Sequence, residues 1–143
     1  MTREDADFNT MLIREEVNEL LSALSTNNDL TELCDAYFDV LWVVTQSAML
    51  NGLNINDLCR AGFYSNMSKF CNTYEEALDT VEAYAKGEHP AKYGTQIECR
   101  IDENRDGSFT VKRASDSKIL KSINFKEPDF SFIVQRAKEH GTV

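Results

Sequence analysis

Two short stretches carry most of the chemistry-bearing side chains of this sequence. The first, EEVNE, holds Glu15, Glu16 and Glu19, and the second, ELCDAYFD, holds Glu32, Asp35 and Asp39. Residues three or four apart share a helix face, so two or three of the first set project together. The second set, at i, i+3 and i+7, forms a stripe of its own. Two facing acidic stripes repel each other unless cations lie between them. Oxygen-only donors of this kind suit magnesium or manganese rather than zinc. Asp39 sharpens the point. It stands between Phe38 and Val40 in a segment with the composition of a buried helix, where an ionised carboxylate is costly unless a charge pairs with it. The plainer alternatives are a solvated glutamate face and a core lysine or arginine beside Asp39. Two stripes, a short connection and an acid within an apolar helix tilt the balance away from these alternatives, but spacing alone takes the reading only as far as a candidate metal site.

The elements that must position these acids follow from periodicity. Residues 8–24 have a helical period, with Val17, Leu20, Leu21 and Leu24 on one face. STNNDLT is a turn, in which Asp29 or Thr31 can cap a second helix over 31–51, stopped by Gly52. The two helices form a short-looped antiparallel hairpin. Residues 54–70 read as a third helix with Asn54 as its cap and a break near Gly62. Residues 73–87 read as a fourth, with Thr73 and Glu76 at capping-box spacing and Gly87 at the exit. The texture then changes to alternation: Ile97, Cys99 and Ile101, the turn signal NRDG, then Phe109 and Val111, a β-hairpin pattern. A basic extended or looped segment follows, and the last residues hold a short helix. The expected fold is mainly α: a helical bundle with a small C-terminal β-hairpin appendage. It is one domain over 1–143, with a helical core at 8–87 and the hairpin and basic tail at 95–130.

Composition narrows the function. The 143 residues suffice for one domain with a real core. A net charge of -9 argues against a general nucleic-acid binder. It leaves room for a phosphorylated small molecule, because a bound divalent ion can supply positive charge. Cys34, Cys59, Cys71 and Cys99 form no CxxC pair, and with only His89 and His140 no zinc spacing arises. They read as reduced thiols. MTREDADF is too polar for a signal peptide, and the longest apolar stretch, interrupted by Asp39, Thr45 and Gln46, is too short and polar to span a bilayer. No membrane partner is expected.

The ordered set LIREEVNEL, ELCDAYFDVLWVVTQSAMLNG, SNMSKF and SDSKILKSINFKEPDF resembles the all-α nucleoside triphosphate pyrophosphohydrolases. This is the superfamily of MazG-like and phosphoribosyl-ATP pyrophosphohydrolase-like proteins, and the resemblance is to its short phage-type members. It covers roughly residues 11–130. The family pattern is EExxE, a spacer, then ExxD or an equivalent acidic pair. Glu15, Glu16 and Glu19 fit the first part. For the second, Glu32 and Asp35 form a literal ExxD. Alternatively, the distance to Gly52 aligns Asp39 with the final aspartate, Ala36 stands where the usual glutamate would be, and Asp35 substitutes for it. The second alignment is preferred, which leaves Glu32 in doubt as a ligand. Many relatives have a longer helix before this pattern.

The resemblance implies Mg²⁺-dependent hydrolysis (Mn²⁺ as an alternative) of a nucleoside triphosphate or deoxynucleoside triphosphate to monophosphate and pyrophosphate, in nucleotide-pool remodelling, with a guanine preference. It implies metal ligands Glu16, Glu19, Asp35 and Asp39, a general base among Glu15, Glu16 and Glu19, and triphosphate contacts from Asn66, Lys69, Lys118 and Lys121. It also implies a homodimer or homotetramer in the cytoplasm of a bacterium or a phage-infected host. Two rivals compete: a nucleotide sensor without turnover, favoured by Ala36, and a structural helical oligomerisation module. The residues add their own argument for assembly, since the second helix is apolar nearly all round and such a helix must be covered on all sides.

Overall fold

The computed structural model describes residues 2–26 and 29–139. They form a mainly helical chain with one small antiparallel hairpin, in the order α1 (Arg3–Thr26), α2 (Leu30–Leu50), α3 (Ile55–Met67), α4 (Tyr74–Lys86), β1 (Cys99–Glu103), β2 (Phe109–Arg113) and α5 (Ser131–Glu139). Packing separates two compact units. One takes in the chain up to Cys59 together with the segment from Phe130; the other is Arg60–Asp129.

In the first unit, α1 begins at Arg3 rather than near residue 8. Thr2 and Asp5 supply the reason. The Thr2 N–H and Oγ1 donate to Asp5 Oδ2 at 2.9 and 2.8 Å, and the Asp5 N–H donates to Thr2 Oγ1 at 3.1 Å. This reciprocal cap holds the first turn in place. α2 starts where expected, with the Thr31 N–H donating to Asp29 Oδ1 at 2.8 Å. It ends at Gly52, whose φ of +71° lies in the left-handed region that glycine enters without strain. The most extensive contact between elements is that of α1 with α2. Asn54 Oδ1 then accepts from the Asp57 N–H at 3.1 Å and opens α3. α3 runs unbroken through Gly62, contrary to the expected break, and a Cβ there would meet nothing within 4 Å. α5 buries Ile133 and Ala137, and Arg136 pairs with Asp57 at 3.6 Å.

The composition of α2 misleads on burial. Only Ala36 and Val43 are buried, while Tyr37, Phe38, Leu41, Trp42, Met49 and Leu50 are exposed. Asp39 is half-buried, not enclosed. A helix apolar on every side needs more neighbours than these described elements supply within its unit.

In the second unit the hairpin is not an appendage. Ala77 and Tyr84 of α4 join Cys71, Val111 and Leu120 in one buried cluster, with Val81, Ile97, Cys99, Ile101 and Phe109 packed around it. The helical spacing of 77, 81 and 84 meets the alternation of 99, 101, 109 and 111, so each element buries its single apolar face on the other. The register pairs Ile101 with Val111 across a turn in which Gly107 has φ +81°. The free edge of β2 is covered at both ends. Cys71 and Phe109 exchange N–H···O bonds of 2.8 Å, and the Leu120 N–H donates to the Val111 carbonyl at 2.9 Å. α4 is closed by Thr73, whose Oγ1 accepts from the Glu76 N–H at 3.1 Å, and by Gly87 in the left-handed conformation. The four cysteines carry no disulfide.

Candidate functional site

The acids of α1 and α2 come within reach of one another's charge. Glu15 and Glu19, one turn apart on α1, are exposed, and Glu16 between them is half-buried. On α2, Asp35 is exposed and Asp39, one turn on, is half-buried. Partial burial, and then the carboxylates of Glu19, Asp39, Glu15 and Asp35, push the Glu16 pKa above its ordinary value. Two of those four charges belong to the neighbouring helix, so the stripes of α1 and α2 act on one another across the helix pair. Glu32 is exposed and is not among the charges acting on Glu16.

None of these five acids forms an ion pair with a described lysine, arginine or histidine. Asp39 therefore has no cationic side chain beside it, which removes the core-lysine alternative among the described residues. A group of carboxylates that raises its own pKa has the donor chemistry of a hard divalent cation, with oxygen donors only and net negative charge to neutralise. In their present positions the side chains do not converge. Among the described residues, no group of three or more Asp, Glu, His or Cys side chains is gathered closely enough to hold a metal ion.

The four expected triphosphate contacts all belong to the 60–129 unit. Lys69 Nζ donates to Asn66 Oδ1 at 2.6 Å, so these two exposed or half-exposed groups at the end of α3 act as a pair. Lys121 Nζ lies 2.5 Å from Glu127 Oε1 and 4.0 Å from the centre of the Phe125 ring. Lys118 is exposed on the turn after β2, its N–H donating to Asp116 Oδ1 at 3.1 Å.

Spacing alone gives Glu76 only a capping role, and the fold gives it more. Its Oε1 accepts a short hydrogen bond, 2.5 Å, from the buried Ser122 hydroxyl, and its Oε2 accepts from the Asn72 N–H at 2.9 Å. Partial burial alone would raise its pKa, but donation from Ser122, the Asn72 N–H and Asn124 holds it below the usual value. No sequence signal marks this, because Ser122 lies 46 residues away. No helix among the described residues is long and apolar enough to cross a membrane.

The family model for phosphoribosyl-ATP pyrophosphohydrolase matches residues 2–61, a segment that takes in α1, α2 and all five acids. An uncharacterised protein of Acanthamoeba polyphaga mimivirus is 29% identical over 98 residues, 68% of this chain and 38% of that protein. The chain thus spans about two fifths of the length of the curated relative it matches. No solved structure matches.

Proposed function

Residues 2–61 match the family model for phosphoribosyl-ATP pyrophosphohydrolase, and from that similarity we propose that the chain is a Mg²⁺-dependent nucleoside triphosphate pyrophosphohydrolase. The reaction is nucleoside triphosphate plus water to nucleoside monophosphate plus pyrophosphate, and deoxynucleotides are included among the substrates. The observation that carries this reading is the acidic group itself. Glu16 is half-buried, four further carboxylates act on it, and no described cationic side chain compensates them.

Glu16, Glu19, Asp35 and Asp39 are the residues that would hold the ion. A divalent ion bound there would neutralise phosphate oxygens and lower the pKa of a water. The chain's own part begins with Glu15 or another α1 glutamate left free of metal. Such a group accepts the proton of the attacking water. Lys118, Lys121 and the Asn66–Lys69 pair are the residues that the resemblance implies as donors to the phosphates and to the pyrophosphate as it leaves. Lys121 would exchange Glu127 for phosphate, an exposed contact of small worth.

One observation favours a second reading. Ala36, at the position of the family's usual glutamate, is buried on α2, which suits a relative that holds a nucleotide without cleaving it. Pyrophosphate release from a panel of nucleoside and deoxynucleoside triphosphates with Mg²⁺ separates the two. Turnover of at least one substrate, lost on chelation and restored by Mg²⁺, is expected. Binding without turnover would leave the sensor.

A further inference from the structure

The 60–129 unit contains a cavity of about 500 Å³ that none of the residues discussed for hydrolysis lines. Tyr64, Phe70, Asn72, Glu76, Asn124 and Lys126 supply most of its wall. The wall is tied together by hydroxyls. Ser65 Oγ donates to the Lys126 carbonyl at 2.9 Å, the Lys126 N–H donates to Ser68 Oγ at 2.9 Å, and the Ile123 N–H donates to Thr80 Oγ1 at 3.0 Å. Ser65 and Thr80 are buried, so the ties through them are shielded from water, while the Lys126–Ser68 bond is exposed. The segment 122–126 is thereby pinned to both α3 and α4. A wall fixed in this way is organised before any ligand arrives.

The lining chemistry is selective. Tyr64, 67% exposed, offers a flat face to a planar group. An ionised carboxylate only accepts hydrogen bonds, so Glu76 favours a ligand that donates them. The Asn72 and Asn124 amides can both donate and accept, the combination that reads a base edge. Lys126 opposes a cationic ligand, and Glu76 opposes an anion seated directly on it. A neutral, planar heterocycle with an amino donor, carrying an anionic substituent, satisfies all of these at once, whereas the only base-edge N–H of uracil or thymine lies between two carbonyl oxygens that the Glu76 carboxylate repels. A volume of this size fits the usual range for small-molecule sites.

We infer that this cavity is a base-reading site for a nucleotide whose base carries an exocyclic amino group, thus adenine, cytosine or guanine rather than uracil or thymine. The nucleotide class rests on the pyrophosphohydrolase reading; the choice among bases rests on the cavity alone.

The test uses the full chain in EDTA, titrated with adenosine, cytidine, guanosine, uridine and thymidine and followed by ligand-observed NMR. Nucleosides carry no phosphate, and EDTA removes any metal, so the acids of α1 and α2 play no part. At least one amino-bearing nucleoside is expected to bind about tenfold or more tightly than uridine and thymidine. Tyr64→Ala and Asn72→Ala, both at exposed side chains, should each erase that margin with an unchanged circular dichroism spectrum, while Glu16→Gln should bind as wild type. Equal binding of all five nucleosides, binding of none, or an undiminished margin in both cavity variants overturns the inference. Pyrophosphate release distinguishes the two failures. A wild type that hydrolyses nothing but prefers amino-bearing nucleosides loses the hydrolase and keeps the cavity; turnover without that preference does the reverse.

Discussion

At Glu16 the chain holds a carboxyl group among four others, and its raised pKa sets the sign of several outcomes. A carboxyl whose folded pKa lies above its unfolded value stabilises the fold at low pH, and that contribution is lost as pH rises through the folded pKa. Near neutrality the cluster is therefore a source of strain, which Glu16→Gln relieves. We expect this variant to melt higher than wild type in EDTA but to gain less from added Mg²⁺, a crossing visible by differential scanning calorimetry. Glu16→Gln, Glu19→Gln and Asp39→Asn should each reduce turnover by at least about 100-fold, the scale of losing one electrostatic stabiliser, with circular dichroism unchanged. Wild-type rates in Asp39→Asn at saturating Mg²⁺ would remove these acids from the mechanism. His89 gives a second sign. It is buried and stacked on Tyr84 at 3.9 Å, and desolvation pushes its pKa below the usual histidine value despite the nearby Ser122 and Lys121 carbonyls. The unfolded chain thus binds a proton that the folded chain refuses. Stability from this group is complete above the unfolded histidine pKa of about 6.5 and falls as pH drops from there toward the folded value. Urea midpoints should decline from about pH 7.5 to about pH 5, and less steeply in His89→Gln.

Among the elements, α4 shows how much rests on few contacts. Its N-terminus presents Thr73 as cap, and Glu76 serves both the Asn72 N–H and the Ser122 hydroxyl. Thr73→Ala removes one of these contacts and should cost about 1 kcal/mol, the usual loss for a cap, read as a shift in urea midpoint at constant slope. Because α4 and the hairpin share the cluster of Ala77, Tyr84 and Val111, both should lose hydrogen-exchange protection together. Loss confined to the first turn of α4 would show that cap and core are independent. The hairpin owes its place to this shared core, since a two-stranded ribbon is marginal by itself.

For the molecule as a whole, the open question is what covers α2. Leu41 is 65% exposed, Trp42 61% and Met49 63%, an apolar surface of a kind that monomers seldom leave to water. We propose a homodimer at least, and a tetramer by repetition of such contacts, with α2 in the interface. Light scattering at micromolar concentration should give a mass of at least twice 16.3 kDa. Trp42→Glu should yield monomers or aggregates and lose activity, although it alters no proposed ligand. An active, stable monomer would remove the interface from the account.

Local order was readable from the sequence because its causes are local. The Asp29, Asn54 and Thr73 caps, the Gly87 stop and the NRDG turn each depend on residues a few positions apart, and each appears where the pattern puts it. Spacing also put Glu15, Glu16 and Glu19 on one helix and Asp35 and Asp39 on the next, since 3.6 residues per turn fixes which side chains are neighbours. The start of α1 was readable too, but its capping pair lies before the first apolar repeat and so escapes a search for periodicity. Burial was not readable. Apolar content says that α2 prefers cover, while only the packing of the chain decides whether its own residues provide it, and for Phe38 and Trp42 they do not. Nor could the pattern foresee that Ser122 would reach Glu76, or that the hairpin would close on α4. Those contacts join residues far apart in sequence, and their energy exists only once the intervening chain has folded back.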